Sequence, residues 1–444
     1  MQVPIAVVSG DRYPCFLEQM EAQKTNHIGA LASVVKKSVD LPVNSWSSMV
    51  QWETRRLISD ALLEMTHHEG GPVHINVPMW YLTSSLSPEQ LTLPKLRHID
   101  RIEISDVAMS AALDDLKRAK RILIISGQAN PMSEMSKMWF DRFCDTYNCC
   151  VVTDHLSNLH NDWTINPYNL LRSVDATFFK TNLMPDLALY FGGKRVLNCP
   201  LQEKLRGLPR DYAFWRINKD GKVADLYYNL THVFEMKPDC FFRYFAERSG
   251  KSKNDGAYYQ IWKRESERFP QLDWRERPYF NAFYTIGKTF SKLPKNCMVH
   301  LGVGTSFHRA HYYNLDPSIK VHCNMGTNGI DGSASTFMGQ ALVSPRLSFL
   351  IIGDLSFFYD MNSIWNKPMR GNLRILLNND GGAGFLKGFH INGITQPHSA
   401  SAKGWVESLG FTYLSAKTQD EFSRNLDRFV SDEDTPMFFE AFIV

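Results

Sequence analysis

Two short apolar runs, each cut off by a turn, constrain this chain more than any other feature. Leu347-Ser348-Phe349-Leu350-Ile351-Ile352 stops at Gly353-Asp354. Leu373 to Leu377 stops at Asn378-Asn379-Asp380-Gly381-Gly382. Runs of this length bounded by turn residues read as strands buried on both faces of a parallel sheet. Phe357 to Trp365, between them, has the length and mixed polarity of a crossover helix. The result is a βαβ unit with Asp354 and Asn379 at the carboxyl ends of two strands, where open α/β sheets bind ligands.

The residue types at those ends suggest a chemistry. Asp offers a carboxylate oxygen and Asn an amide oxygen, and hard divalent cations such as Mg2+ take oxygen ligands and bridge to phosphate. Leu355 and Ser356 open the expected helix, so their N–H groups can meet an anion. Gly381 and Gly382 allow the backbone to approach a ligand. An ordinary βαβ turn with a surface Asp and Asn is the competing reading of these residues alone.

A second stretch separates the two readings. Asn324-Met325-Gly326-Thr327-Asn328-Gly329-Ile330-Asp331-Gly332 is a Gly-rich turn, and it leads into a helix of small residues, Ser333 to Ala341. In order, the chain carries GIDG-x-x-ST-x-x-G-x-A, then GDLS-x-x-x-D-x-N, then NN-x-GG. This set resembles the diphosphate-binding domain of thiamine diphosphate (ThDP) enzymes. Within them it is most similar to the MenD family, the SEPHCHC synthases of menaquinone biosynthesis. The spacing from Asp354 to Asn379 is slightly tighter than the family's.

The resemblance implies an α/β fold of three domains, each a doubly wound parallel sheet, with the first domain incomplete. It implies ThDP and Mg2+ (or Mn2+) as cofactors, a 2-oxo acid and an acceptor as substrates, and a homodimer or homotetramer. By the family pattern, Asp354, Asn379 and the Gly381 carbonyl hold the metal. Gly353, Leu355 and Ser356 meet the diphosphate, and Ile330 wedges the cofactor into its bent form. Gly304 and Thr305, in the turn after the strand Cys297 to Gly302, lie beside the cofactor. Ser306 and Arg309 follow as substrate-binding residues, with Arg309 one position closer than in the family. Phe385 lies over the reacting side. Lys194 and Arg195 match a Gly-Lys-Arg near the family's substrate pocket, with a solvated basic turn as the other reading. Gln23 aligns with a substrate-contacting Gln, or is a solvated loop residue. Two departures, Met325 where the family has a carboxylate-binding Arg and Gly384 where it has a branched apolar residue, imply an altered substrate pocket.

From the start, Val3 to Val8 reads as a buried strand, Glu53 to Met65 as a helix, and His74-Ile75-Asn76-Val77-Pro78 as a strand. The last resembles the closing strand of the family's pyrimidine-binding domain, so residues 1–80 are expected to be the back half of that domain. The Glu that activates the aminopyrimidine has no counterpart here, and no catalytic residue is assigned. A partner chain bringing that Glu is therefore one expectation, and catalysis by this chain alone the other. Residues 81–104 read as a linker and 105–275 as a middle Rossmann-like domain. That domain has strands at Arg121–Gly127, Cys150–Asp154, Pro185–Gly193 and Asp211–Asn218. Residues 280–444 read as the diphosphate domain. Phe234 to Phe269 is expected to be helical.

Composition excludes several classes. A net charge of +3 and no basic stripe with interleaved aromatics give no sign of nucleic acid. No run of about 18 apolar residues suggests a membrane span. Eight scattered Cys without a CxxC pair suggest reduced thiols and a cytoplasmic protein. No GxGxxG follows Gly127, Gly192-Gly193 or Gly302, which counts against a dinucleotide site.

Overall fold

The computed structural model describes all residues except 1–2, 21–24, 44–46, 69, 79–105, 194–199, 208–211, 223, 249–251, 327, 366–369, 383 and 385–396. The expected linker, residues 81–104, thus lies outside the described residues. The chain divides into two compact units. The first comprises Met1–Ala112 with Ile217–Val223 and Val233–Pro238, and the second the remainder.

In the first unit, β1 (Ala6–Asp11), β2 (Lys37–Asp40) and β3 (Val73–Pro78) form a parallel sheet in the order β1-β3-β2, with α1 (Ser48–Thr66) beside it. The buried apolar cluster is small: Val39, Ala61, Val73 and Ile75. The strand expected at Val3 to Val8 begins later, and it is not buried. Val3, Ile5, Val7 and Val8 are 44%, 50%, 38% and 64% exposed. β1 is an edge strand that contributes nothing to the α1 cluster, so its apolar side chains stay in water.

Most of two six-stranded sheets lies in the second unit. The earlier one has the order β6-β5-β4-β7-β8-β9. Its strands are β4 (Ile122–Ser126), β5 (Cys150–Val152), β6 (Thr164–Ile165), β7 (Leu187–Phe191), β8 (Ala213–Ile217) and β9 (His232–Phe234). Its helices are α2 (Asp106–Arg118), α3 (Glu134–Tyr147), α4 (Tyr168–Ser173), the single turn α5 (Ala176–Phe178) and α6 (Pro200–Arg206). Phe234 to Phe269 is not one helical stretch. Phe234 ends β9, and two helices follow, α7 (Pro238–Glu247) and α8 (Ala257–Arg268). Pro238 suits a helix start because its missing N–H would be unpaired there anyway. Gly256, at φ 85°, opens α8 from the left-handed region.

The later sheet is assembled from β10 (Met298–Leu301), β11 (Lys320–Cys323), β12 (Ser348–Gly353), β13 (Leu373–Asn379), β14 (Thr412–Ala416) and β15 (Met437–Phe442). All its pairings are parallel, in the order β11-β10-β12-β13-β15-β14. The apolar runs are unbroken because both faces are covered. Val299, Leu301, Phe349, Ile351, Leu376 and Phe439 face α9 (Ala282–Phe290), α10 (Thr305–Ala310) and α14 (Gln419–Phe429). Met298, Leu350, Ile352, Ile375, Leu377 and Phe438 face α11 (Ser333–Val343), α12 (Asp354–Asp360) and α13 (Lys403–Ser408). Strand alternation thus divides one apolar sequence between two cores. The expected crossover helix starts earlier than Phe357. α12 begins at Asp354 and passes into a 3-10 turn at Met361–Trp365.

Candidate active site at the carboxyl edge of the last sheet

From β10 the chain steps outward to β11, then returns to the other side of β10 as β12. Loops leaving β10 and β12 must therefore diverge, and a crevice opens between their carboxyl ends. Three glycines shape it. A Cβ on Gly302 would lie 3.0 Å from Ile352 Cγ1 and 3.2 Å from its Cα, so any side chain at 302 would push the two strand ends apart by a few tenths of an ångström. Gly304 (φ 90°) and Gly353 border open space, where a Cβ would touch nothing. Backbone is thus bared to whatever fills the crevice.

Asp354, Asn379 and the Gly381-Gly382 turn converge. Asp354 is buried, and its Oδ2 accepts from the Gly382 N–H at 3.0 Å. Asn379 is also buried, and its Oδ1 accepts from the Gly381 N–H at 3.1 Å. Consecutive amides of one turn therefore tie down both side chains, and Gly381 (φ 68°) has the left-handed backbone that the turn needs. The Asn379 amide nitrogen points away, to Glu440 Oε1 at 2.8 Å and the Ala400 carbonyl at 2.9 Å.

Sequence reasoning missed two residues here. His398 Nε2 lies 3.0 Å from Asp354 Oδ2, and the His398 backbone N–H donates to the Gly381 carbonyl at 2.8 Å. Its Nδ1 accepts from the Ala400 N–H at 3.2 Å, which leaves the ring proton on Nε2, facing Asp354. Nothing local marked His398. Glu440 did carry a signal: it is the one charged residue in Met437-Phe438-Phe439-Glu440-Ala441-Phe442, and it is fully buried. A carboxylate in such a strand must be paired or hydrogen-bonded.

The other expected site residues are placed as follows. The Leu355 N–H donates to Asp354 Oδ1 at 2.7 Å, and the Ser356 hydroxyl donates to the Ile330 carbonyl. That bond ties the Gly329-Ile330 turn to α12 and leaves the Ile330 side chain 36% exposed, as an apolar residue that faces a ligand would be. Gly304 caps α10, and Thr305 is its first residue. Ser306 is buried, whereas the Arg309 guanidinium stacks 4.2 Å from the Phe283 ring centroid. Gln23, Lys194, Arg195 and Phe385 lie outside the described residues. Met325 is buried in the core with Val321 and Cys323. A Cβ on Gly384 would collide with the Asp380 carboxylate, so that glycine has a steric reason of its own.

Two histidines under the crevice are held neutral. Burial pushes His300, on β10, down to about 4, against a partly opposing hydrogen bond from Gln340. Burial, then the charges of His311, Arg309 and Arg172, push His308 on α10 down to about 4. Neither is an imidazolium at neutral pH, so the positive charge beside α10 rests on arginine.

The donor set at the crevice is all oxygen: the Asp354 carboxylate, Asn379 Oδ1 and the Gly381 carbonyl. Oxygen ligands of mixed charge fit a hard divalent cation, and the bared backbone at Gly304 and Gly353 leaves room for a phosphate group beside it. No family model matches the chain. It is 33% identical to the 2-succinyl-5-enolpyruvyl-6-hydroxy-3-cyclohexene-1-carboxylate synthase of Bacteroides thetaiotaomicron, over 99% of this chain and 80% of that protein. The same identity and coverage hold for the enzyme of that name from Bacteroides fragilis. The chain belongs to this synthase family. A relative of the same name from Flavobacterium johnsoniae is 26% identical over 99% of this chain and 80% of its own length. The chain therefore spans four-fifths of these relatives. Among the described residues, no helix is long and apolar enough to cross a membrane.

Proposed function

We propose that this chain binds ThDP and Mg2+ and catalyses decarboxylating carboligation of a 2-oxo acid, as a SEPHCHC synthase-like enzyme with an altered substrate preference. The observation that carries the reading is the convergence of Asp354 and Asn379 on the Gly381-Gly382 turn. Asp354, Asn379 and the Gly381 carbonyl would hold the cation, and the bared backbone at Gly353 and Gly304 would receive the diphosphate. When bound, ThDP supplies the electron sink that lets a 2-oxo acid lose CO2. Ile330 would press on the cofactor as an apolar support, and the backbone of the Gly381-Gly382 turn would fix its phosphate end. Arg309, stacked on Phe283, offers a fixed cation to a substrate carboxylate, for which an arginine fork is well suited.

The preference differs because Met325 occupies the core where the family has a carboxylate-binding Arg. Turnover of 2-oxoglutarate with isochorismate at rates ordinary for enzymes would refute that part. The cofactor reading is tested by thermal unfolding. Mg2+ with ThDP at about 100 times Kd should stabilise the fold by about 3 kcal/mol, and NADH should not. No shift with Mg2+ and ThDP would end the reading.

The exposed edge of β1 favours a second reading. Val7 and Val8 there are apolar and in water, on a strand that has an open edge among the described residues, which suits pairing with another chain. In this reading the chain binds the cation and diphosphate but needs a partner, a second copy or a separate subunit, for the acid–base group. Decarboxylation of 2-oxo acids by the isolated monomer would exclude it.

A further inference from the structure

We propose that Glu440 is a positioning residue. It holds the Asn379 amide with its oxygen turned outward to a divalent cation, and so sets the affinity of the metal site without touching the metal. The inference rests on the cofactor reading above and adds to it the residue that orients one ligand.

Asn379 alone could present either end of its amide. The two ends differ only in which atom donates and which accepts, and an outward NH2 group would repel a cation. Three contacts decide between them. On one side Glu440 Oε1 and the Ala400 carbonyl, at 2.8 and 2.9 Å, can only accept, so the NH2 must face them. On the other side the Gly381 N–H, at 3.1 Å, can only donate, so the oxygen must face the turn. A carbonyl oxygen has two lone pairs, so one remains for a cation.

Glu440 is itself fixed. It is fully buried on β15, in register with Leu377 of β13. Its Oε1 also accepts from the Ala402 N–H at 3.3 Å. Its Oε2 accepts from Ser401 Oγ at 2.7 Å and from the Tyr413 hydroxyl at 2.8 Å. Burial, then the bond to Glu440, pushes the Tyr413 phenol up, so it remains a donor. A buried carboxylate fed by four neutral donors is costly to keep, and the residues that share its face of β15, Phe438 and Phe442, are apolar. What the carboxylate does that an apolar residue cannot is fix the Asn379 amide. Outer partners of this kind tune metal sites by about 10- to 100-fold.

The test uses the full chain with ThDP and follows free Mn2+ by electron paramagnetic resonance, with the metal-free melting temperature recorded beside it. E440M should weaken Mn2+ binding about 10- to 100-fold. E440Q should stay within a few-fold of wild type, because its amide oxygen still accepts from Asn379 and the Ser401 and Tyr413 hydroxyls can accept from its NH2. N379D should bind poorly, with two carboxylates forced together. The swap N379D/E440Q restores an amide–carboxylate pair and should recover about tenfold or more over N379D. Mn2+ affinity in E440M equal to wild type, or a double variant no tighter than N379D, overturns the inference. If E440M does not fold, the swap decides alone. Wild-type chain that takes up no Mn2+ overturns the cofactor reading and this inference with it.

Discussion

His300 should make this protein acid-sensitive, and the size of the effect can be worked out. The residue is fully buried on β10. Its Nδ1 donates to Gln340 Oε1 at 2.8 Å, which leaves Nε2 without a hydrogen bond in an apolar layer. Burial lowers its pKa from 6.5 to about 4. The folded state therefore refuses a proton that the unfolded state accepts. Stability from this residue is complete above pH 6.5, is lost as pH falls from 6.5 towards 4, and changes no further below that. Between pH 7 and pH 5 the loss is about 2 kcal/mol, since one pKa unit is worth about 1.4 kcal/mol and the upper part of the window is crossed. Other groups titrate over the same range, so the measurement is a difference. Urea unfolding of wild type and His300→Leu is compared at both pH values, with Trp fluorescence as the signal. The substitution costs something at every pH through Gln340, which loses its partner. The gap between the two proteins should narrow by about 2 kcal/mol at pH 5. A gap independent of pH would show that His300 is not held neutral by burial.

Further outcomes follow from other sites. Asp354→Ala should abolish the stabilisation by Mg2+ and ThDP in thermal unfolding while leaving the metal-free melting temperature within a few degrees of wild type, because the carboxylate's protein partners are single N–H groups and one imidazole. Arg374→Met should destabilise by about 3 kcal/mol or more, measured by urea unfolding. This fully buried guanidinium donates to the carbonyls of Gly371, Leu373, Ser431, Glu433 and Thr435, and methionine satisfies none of them. Gly302→Ala should cost about 1–3 kcal/mol in the same assay, since the new Cβ would press on the Ile352 backbone. Ile330→Ala should weaken ThDP binding while sparing Mg2+ in its absence, as isothermal titration can show.

The sequence by itself determined the βαβ core and the ends of its strands. Short apolar runs bounded by turns, such as Phe349 to Ile352, read as strands covered on both faces, and the turns that stop them place Asp354 and Asn379 at the sheet's carboxyl edge. The strand read at Cys297 to Gly302 was legible for the same reason, as β10. Local signals failed where burial depends on distant neighbours. Val3 to Val8 has the composition of a core strand, yet among the described residues no layer covers β1, and no pattern within eight residues can report that. Phe357 looked like a helix start until the Asp354 carboxylate, bonded to the next amide, began the helix three residues sooner. Only the tertiary structure could decide which end of the Asn379 amide faces outward. That depends on Glu440 and Ala400, dozens and tens of residues away, because an amide side chain has no orientation of its own until donors and acceptors from other strands surround it. His398 is the same case: its ring lies 3.0 Å from an Asp354 oxygen although 44 positions separate the two, a contact that sequence spacing does not report.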